Sequence, residues 1–443
     1  MLSIHKTYFY IFCFCVLSLF FAPALLPFSD ELCLAAFAAL AGLDMLYNRN
    51  LRRYRLMFVL LGVMLFYLAY SLAASPYNIP KAQINDFILQ CKPLVAFSLS
   101  YAIAPKFTAG EKYFLKKLCI VLAIISVITI ATGTYKILLA HIYYQGLLCF
   151  GCAAVYLLMS YDRRYERHIS PNDLFWGIAI LLMGLACTRS KYYGTCVLSL
   201  YLIFLYKPGT INLKSLRNIV TALVITGAVI MVAWQKINYY FISGSLSATG
   251  NFDPDMLEQV ARPMLFAGSL LIFADHLILG SGLASFATFS SSTAINYSSL
   301  YHEYGISMVW GLSPEKDTFI ADTFYPELAQ FGLLGVFFFL TFCWWIWRKF
   351  RIALRAESRL LFAVGVMCFA LLAIDGVAGC SILQIGGELL MACMGIIAGT
   401  TKTIPKTEAK ALLARPITEL YENKKLKEYG YEFRQNRLLT HHP

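Results

Sequence analysis

Charged residues are scarce. Asp, Glu, Lys and Arg make up 14% of the 443 residues, against 59% hydrophobic. A soluble protein carries about a quarter charged residues, so the soluble globular classes are excluded. Cysteine is not scarce, at 13, but none falls in the one long hydrophilic stretch, 236–325. A disulfide framework sets its cysteines in exposed loops. Here they lie in or beside apolar runs, as small buried hydrophobes do. Cys149 and Cys152 stand at CxxC spacing, yet inside an apolar helix without further ligands. No His/Cys cluster points to a metal, and neither metal nor cofactor is expected. An internal repeat is also lacking, which weighs against transporters built from repeat-related halves. The first apolar stretch, 8–28, has no small-residue cleavage site and runs straight into a second one. It is expected to stay as a helix rather than be removed as a signal peptide.

What is present is a series of apolar runs near the ~20 residues that cross a bilayer as a helix. The reading is an all-α, polytopic helical membrane protein with about 12 spans. Their limits are 8–28, 31–47, 56–74, 88–104, 118–134, 137–160, 174–187, 192–206, 219–235, 326–347, 360–377 and 381–399. With the N-terminus inside, all but eight of the 37 Lys and Arg residues fall in cytoplasmic connections, at the start or in the tail. The eight are Lys81, Lys92, Lys136, Arg189, Lys191, Lys236, Arg262 and Lys316. This is the positive-inside asymmetry, and it explains the net charge of +12 without nucleic acid. Both termini are then cytoplasmic. Residues 1–400 form a transmembrane domain, and 401–443 a cytoplasmic tail with an amphipathic stretch at 419–429 that suits anionic lipid.

One large external loop, 236–325, separates spans nine and ten. Its apolar segment 264–274 is too short to span and is expected as an amphipathic or re-entrant helix, starting near Pro263. Tyr297, Tyr301, Tyr304 and Trp310 alternate with Ser and Thr. Such a surface suits sugar rings, which offer C–H faces to stack on and hydroxyls to bond. An interfacial aromatic belt has the same composition.

The external charges are few enough to weigh singly. Arg189 and Lys191, in Thr188-Arg189-Ser190-Lys191, sit at the outer mouth between spans seven and eight. An arginine fork there can hold a phosphate or diphosphate, with Lys191 adding a point charge. A pair snorkelling to headgroups is the other reading. Arg262 either joins that site or pairs with Asp255 or Glu258. Lys92, beside Pro93 inside the fourth span, is expected to face the interior or a wet cavity. Asp317, Asp322 and Glu327 crowd the loop's end, with His302 and Glu303 upstream, and a carboxylate there can take an acceptor hydroxyl's proton. Asp375, Gln384 and Glu388 in the last two spans are expected to bridge helices or line a cavity.

The order of these motifs resembles the O-antigen polymerase and O-antigen ligase superfamily of bacterial envelope glycosyltransferases. Thr188-Arg189-Ser190-Lys191 comes first, then Arg262, then Ile278-Leu279-Gly280-Ser281-Gly282-Leu283. Last is Asp322-Thr323-Phe324-Tyr325-Pro326-Glu327-Leu328-Ala329-Gln330-Phe331-Gly332. The likeness covers roughly residues 180–340 by motif. It implies a metal-independent, inverting transfer of glycan from an undecaprenyl diphosphate carrier to an acceptor glycan, at the periplasmic face of the inner membrane. Arg189 and Arg262 would grip the diphosphate leaving group, and Asp322 would serve the acceptor. Lys191, Lys92, His302, Tyr301, Asp317 and Tyr325 would bind substrate, and a chain-length regulator is a possible partner. Ligases typically carry His-Asn where this chain has Ala321-Asp322, so a histidine base does not transfer, and the form looks more like a polymerase. The alternatives are a ligase acting on lipid A core or protein and, from another class, a lipid-linked oligosaccharide flippase.

Overall fold

In the computed structural model, the residues described are 3–21, 24–162, 168–205, 254–356 and 359–405, together with 407 and 412. They are helical, without a β-strand; a lone bridge pairs Ser313 with Lys316. The helices are α1 (Ile4–Phe21), α2 (Ser29–Asn48), α3 (Arg55–Ala74), α4 (Pro80–Ile103), α5 (Ala109–Ala131), α6 (Tyr144–Met159), α7 (Pro171–Met183), α8 (Ser190–Leu200), α9 (Pro254–Asp275), α10 (Gly332–Arg355), α11 (Arg359–Asp375) and α12 (Ile385–Thr400). The segments Ile4–Phe21, Leu51–Ala74, Ala109–Ala131 and Pro326–Arg355 are long and apolar enough to cross a membrane. Tyr144–Met159, Pro171–Cys187 and Ile385–Thr400 are apolar but shorter. Phe66 on α3, Ile128 on α5, and Phe337 and Trp344 on α10 stand exposed on outward faces. Water penalises large apolar surfaces of that kind and lipid does not.

Each expected span within the described residues falls on a helix, two of them with a change of shape, and the expected loop helix differs in extent. The 137–160 stretch is interrupted, because Ala140 turns the chain at φ +57° and α6 begins only at Tyr144. The 381–399 stretch opens with a 3-10 turn, Ser381–Leu383, and α12 starts after Gln384. The loop helix is longer than 264–274: α9 begins at Pro254 and holds Pro263 inside it rather than at its start. Residues 219–235, the expected ninth span, and the amphipathic stretch 419–429 lie outside the described residues.

Local chemistry sets several of these boundaries. Thr108 and Glu111 form a reciprocal capping box at the start of α5. Ser170 caps α7 with Pro171 behind it, and Pro80 opens α4. The pairing of α12 with α4 is the most extensive helix contact. It depends on Gly395, where a Cβ would stand 2.4 Å from the Phe97 carbonyl oxygen. Small residues of this sort let helices approach without a large apolar driving force.

The bundle has two chemically distinct ends. At one, Arg53 donates to the carbonyls of Ala102 and Ile103 and to Asp44, and Lys402 also reaches the Ala102 carbonyl. These cations neutralise the carbonyl end of α4. At the other end lie the α1–α2 turn, the C-termini of α3 and α11, the N-termini of α6, α8 and α12, and the loop 276–331. All the candidate site residues belong to this second end or to the loop packed on it.

Candidate functional site

Two motifs far apart in sequence are clamped together here. Gly282 N–H donates to the Gln330 carbonyl at 3.0 Å, and Leu333 and Leu334 N–H donate to the carbonyls of Leu277 and Ile278 at 2.7 and 3.1 Å. Gly280 and Gly332 stand back to back at φ +77° and +58°. A Cβ on Gly280 would lie 2.3 Å from the Gln330 carbonyl oxygen, so no side chain fits. The end of α3 secures the same loop: Tyr70 donates to the Gly280 carbonyl at 2.9 Å, and Ser75 to that of Ser281 at 2.6 Å. The buried Asp86 carboxylate accepts the Ala284 N–H at 2.8 Å. The polypeptide leading into Asp322 is thus tied to α3, α4 and α10.

A cavity of roughly 110 Å³ opens at this end, lined by Arg189, Lys191, Asp322, Asp375, Tyr143, Gln384 and neighbours. A space of that size is too small to enclose an oligosaccharide, which must lie largely outside it. Arg189 stands at the N-terminus of α8, immediately after Thr188, whose φ of +56° is unusual for a β-branched residue. Strain of this kind persists where surrounding structure enforces it, often at functional sites. The Arg189 guanidinium lies 4.5 Å from the centre of the Tyr143 ring and makes no ion pair among the described residues. The positive end of the α8 dipole adds to its field.

The other cations are neutralised. Lys191 pairs with Asp375 and donates to the Ala378 carbonyl at 3.1 Å, while Asp375 also accepts the Ser381 N–H at 3.0 Å. Arg262 reaches in from α9, donating from Nε to Asp322 Oδ2 at 2.8 Å and from Nη2 to the same oxygen. The Asp255 and Glu258 side chains lie outside the described residues. Burial pushes the Asp322 carboxyl above its ordinary range, with Arg262 and Lys191 pulling the other way. About a third of that side chain, 32%, still reaches solvent. Three cations face two carboxylates, and the uncompensated charge is on Arg189.

The remaining expected residues go elsewhere. Lys92 is 1% exposed and pairs with Asp30 at 2.7 Å and Glu31 at 2.5 Å. That places it in the interior, near a second cavity of roughly 200 Å³ that shares Tyr144, Leu147 and Gln384 with the first. Tyr301 presents no face to a ligand: it is buried, and its hydroxyl meets the Ala287 N–H and Ser291. His302 packs edge-on to Tyr297. Asp317 accepts from the Thr293 N–H and hydroxyl at 2.7 and 2.6 Å, tying two distant segments of the loop together. Tyr325 anchors the loop end by donating to the Ala373 carbonyl at 2.6 Å. Glu327 is buried behind the cavity, accepting from Gln90 and near the Cys380 thiol. Asp375 and Gln384 prove to be cavity residues, and Tyr143, stacked between Arg189 and His141, gave no signal in sequence.

No protein-family model matches this chain, and no curated protein matches it.

Proposed function

We propose that the chain is an envelope polysaccharide polymerase, joining undecaprenyl-diphosphate-linked oligosaccharide repeats by inverting glycosyl transfer at the outer face of the bacterial inner membrane. In this reading it crosses the membrane about 12 times, keeps both termini in the cytoplasm and opens the Arg189 cavity to the periplasm. The observation that carries the reading is the convergence of Arg189, Lys191 and Asp322 on one small cavity, with Arg262 bound to Asp322 behind its wall. Only their order along the chain suggested that they belong together.

The chemistry runs as follows. An acceptor hydroxyl oxygen attacks the anomeric carbon of the donor glycan. The bond from that carbon to the diphosphate oxygen breaks, and the diphosphate leaves with the electron pair. Arg189 meets the growing negative charge with a preorganised guanidinium, the kind of interaction that supplies the largest share of many rate enhancements. Lys191 and Arg262 turn from their carboxylates towards the diphosphate, which leaves Asp322 free to take the acceptor's proton. A diphosphate therefore substitutes for the carboxylates that hold Lys191 and Arg262.

The test is purified protein incubated with lipid-linked repeat. A ladder of products supports polymerisation, a single transfer to lipid A core supports a ligase, and no transfer to any acceptor refutes the reading. Sidedness is tested by cysteine labelling at Met308, which is 88% exposed. Ser291, in the same loop, is buried and bonded to Tyr301, and is unsuitable.

A further inference from the structure

The second cavity adjoins a cluster that the transfer chemistry does not use. Cys15 on α1 and Cys33 on α2 bring their sulfurs to 3.3 Å, and Glu388 of α12 joins them with all three ligand atoms within 4.8 Å. The three side chains are fully buried. Both oxygens of the Glu388 carboxylate are buried without a hydrogen-bond partner. A carboxylate left so in an apolar interior is costly, and natural proteins rarely leave one unmatched. One turn away along the same helices, the hydroxyls of Ser18 and Ser29 are likewise buried and unmatched.

Charge points the same way. Lys92 is the cation of this region, and Asp30 and Glu31 already occupy it. Among the described residues Glu388 therefore has no cation of its own.

We infer that Cys15, Cys33 and Glu388 form a binding site for a divalent, borderline-soft cation of the zinc class, which ties the α1–α2 pair to α12 beside the second cavity. Two thiolates and a carboxylate suit such an ion, whereas magnesium and calcium take oxygen ligands alone. Bonds of roughly 2.3 Å to sulfur and 2.0–2.2 Å to oxygen set tetrahedral ligands a little under 4 Å apart, so the sulfurs, now 3.3 Å apart, open slightly around the ion. As each sulfur–metal bond forms, its thiol proton is released to solvent, and nothing is oxidised or reduced. Three protein ligands leave one tetrahedral position open. Asp30, at the wall of the cavity, marks the side from which an ion reaches the site.

The experiment measures metal in full-length, tag-free protein purified in mild detergent and passed over a sizing column, before and after incubation with zinc. About one zinc per chain is expected, lost in Glu388→Gln and in Cys15→Ser/Cys33→Ser. Cobalt in its place should give a thiolate-to-metal absorption band that falls by about half when one cysteine is replaced. If the variants fail to fold, the wild-type protein decides: a strong chelator should expose Cys15 and Cys33 to alkylation, and zinc should restore protection. No retained metal after zinc loading, or an intact mass two hydrogens light from a Cys15–Cys33 disulfide, would overturn the site.

Discussion

Two charged centres sit side by side at one end of the bundle, and their charges are opposite. Around Arg189, three cations meet two carboxylates at and behind the wall of a cavity open to solvent. Around Lys92, one buried ammonium meets Asp30 and Glu31, and the unmatched Glu388 carboxyl lies close by. The cavities share a wall, Tyr144, Leu147 and Gln384, yet one suits an anion and the other a cation. The buried member differs too. At the open centre Arg262 and Asp322 both keep part of their side chains in solvent and can exchange partners, so their value is in chemistry. At the closed centre the Lys92 ammonium is buried, although Glu31 is half-exposed, and its pairing with α2 holds that helix to α4. Substitutions at the first should cost activity with little loss of stability, and those at the second the reverse.

The largest expected effect is at Arg189. Arg189→Ala should lower transfer from a lipid-diphosphate donor by about 10²–10³-fold, as removing one preorganised donor to a developing charge does. Thermal unfolding should hardly move. An equal fall in stability would merge the two centres into one structural unit. Asp322→Asn should reduce turnover by about 10²-fold while donor binding changes little, measured by separating kcat from KM. If KM alone rises, Asp322 orders the donor rather than serving the acceptor. At the closed centre, Lys92→Met should cost on the order of 3 kcal/mol in detergent unfolding, because two carboxylates lose their cation.

A smaller effect concerns pH. The Asp322 carboxyl sits above its ordinary range because of burial, against the pull of Arg262. A base must be deprotonated, so activity should fall on acidification at a pH above the ordinary Asp value of about 3.9. Arg262→Gln removes a cation that lowers this pKa, so the acid limb should move further up. Movement downward would show that another group controls the limb.

The helices were largely legible because apolar runs of bilayer length leave few alternatives. Arg189, Lys191, Arg262 and Asp322 were legible as a group through motif order, and Asp375 and Gln384 as polar residues in apolar spans. The loop aromatics were not. A Tyr among serines reads the same whether it faces a sugar or, like Tyr301, packs inside the loop's own core. The turn at Ala140 was hidden too, since nothing in an Ala marks a positive φ. Cys15, Cys33 and Glu388 could not be joined from sequence, because three helices bring them together and their spacing carries no ligand pattern.

The central claim is that the open centre is a diphosphate site whose decisive cation is Arg189. Its most direct test is a binding titration of polyprenyl diphosphate and polyprenyl monophosphate to the wild-type protein and to Arg189→Gln. The wild type should prefer the diphosphate clearly, and the variant should lose that preference. Equal binding of the two lipids by the wild type, or an unchanged preference in Arg189→Gln, would contradict it.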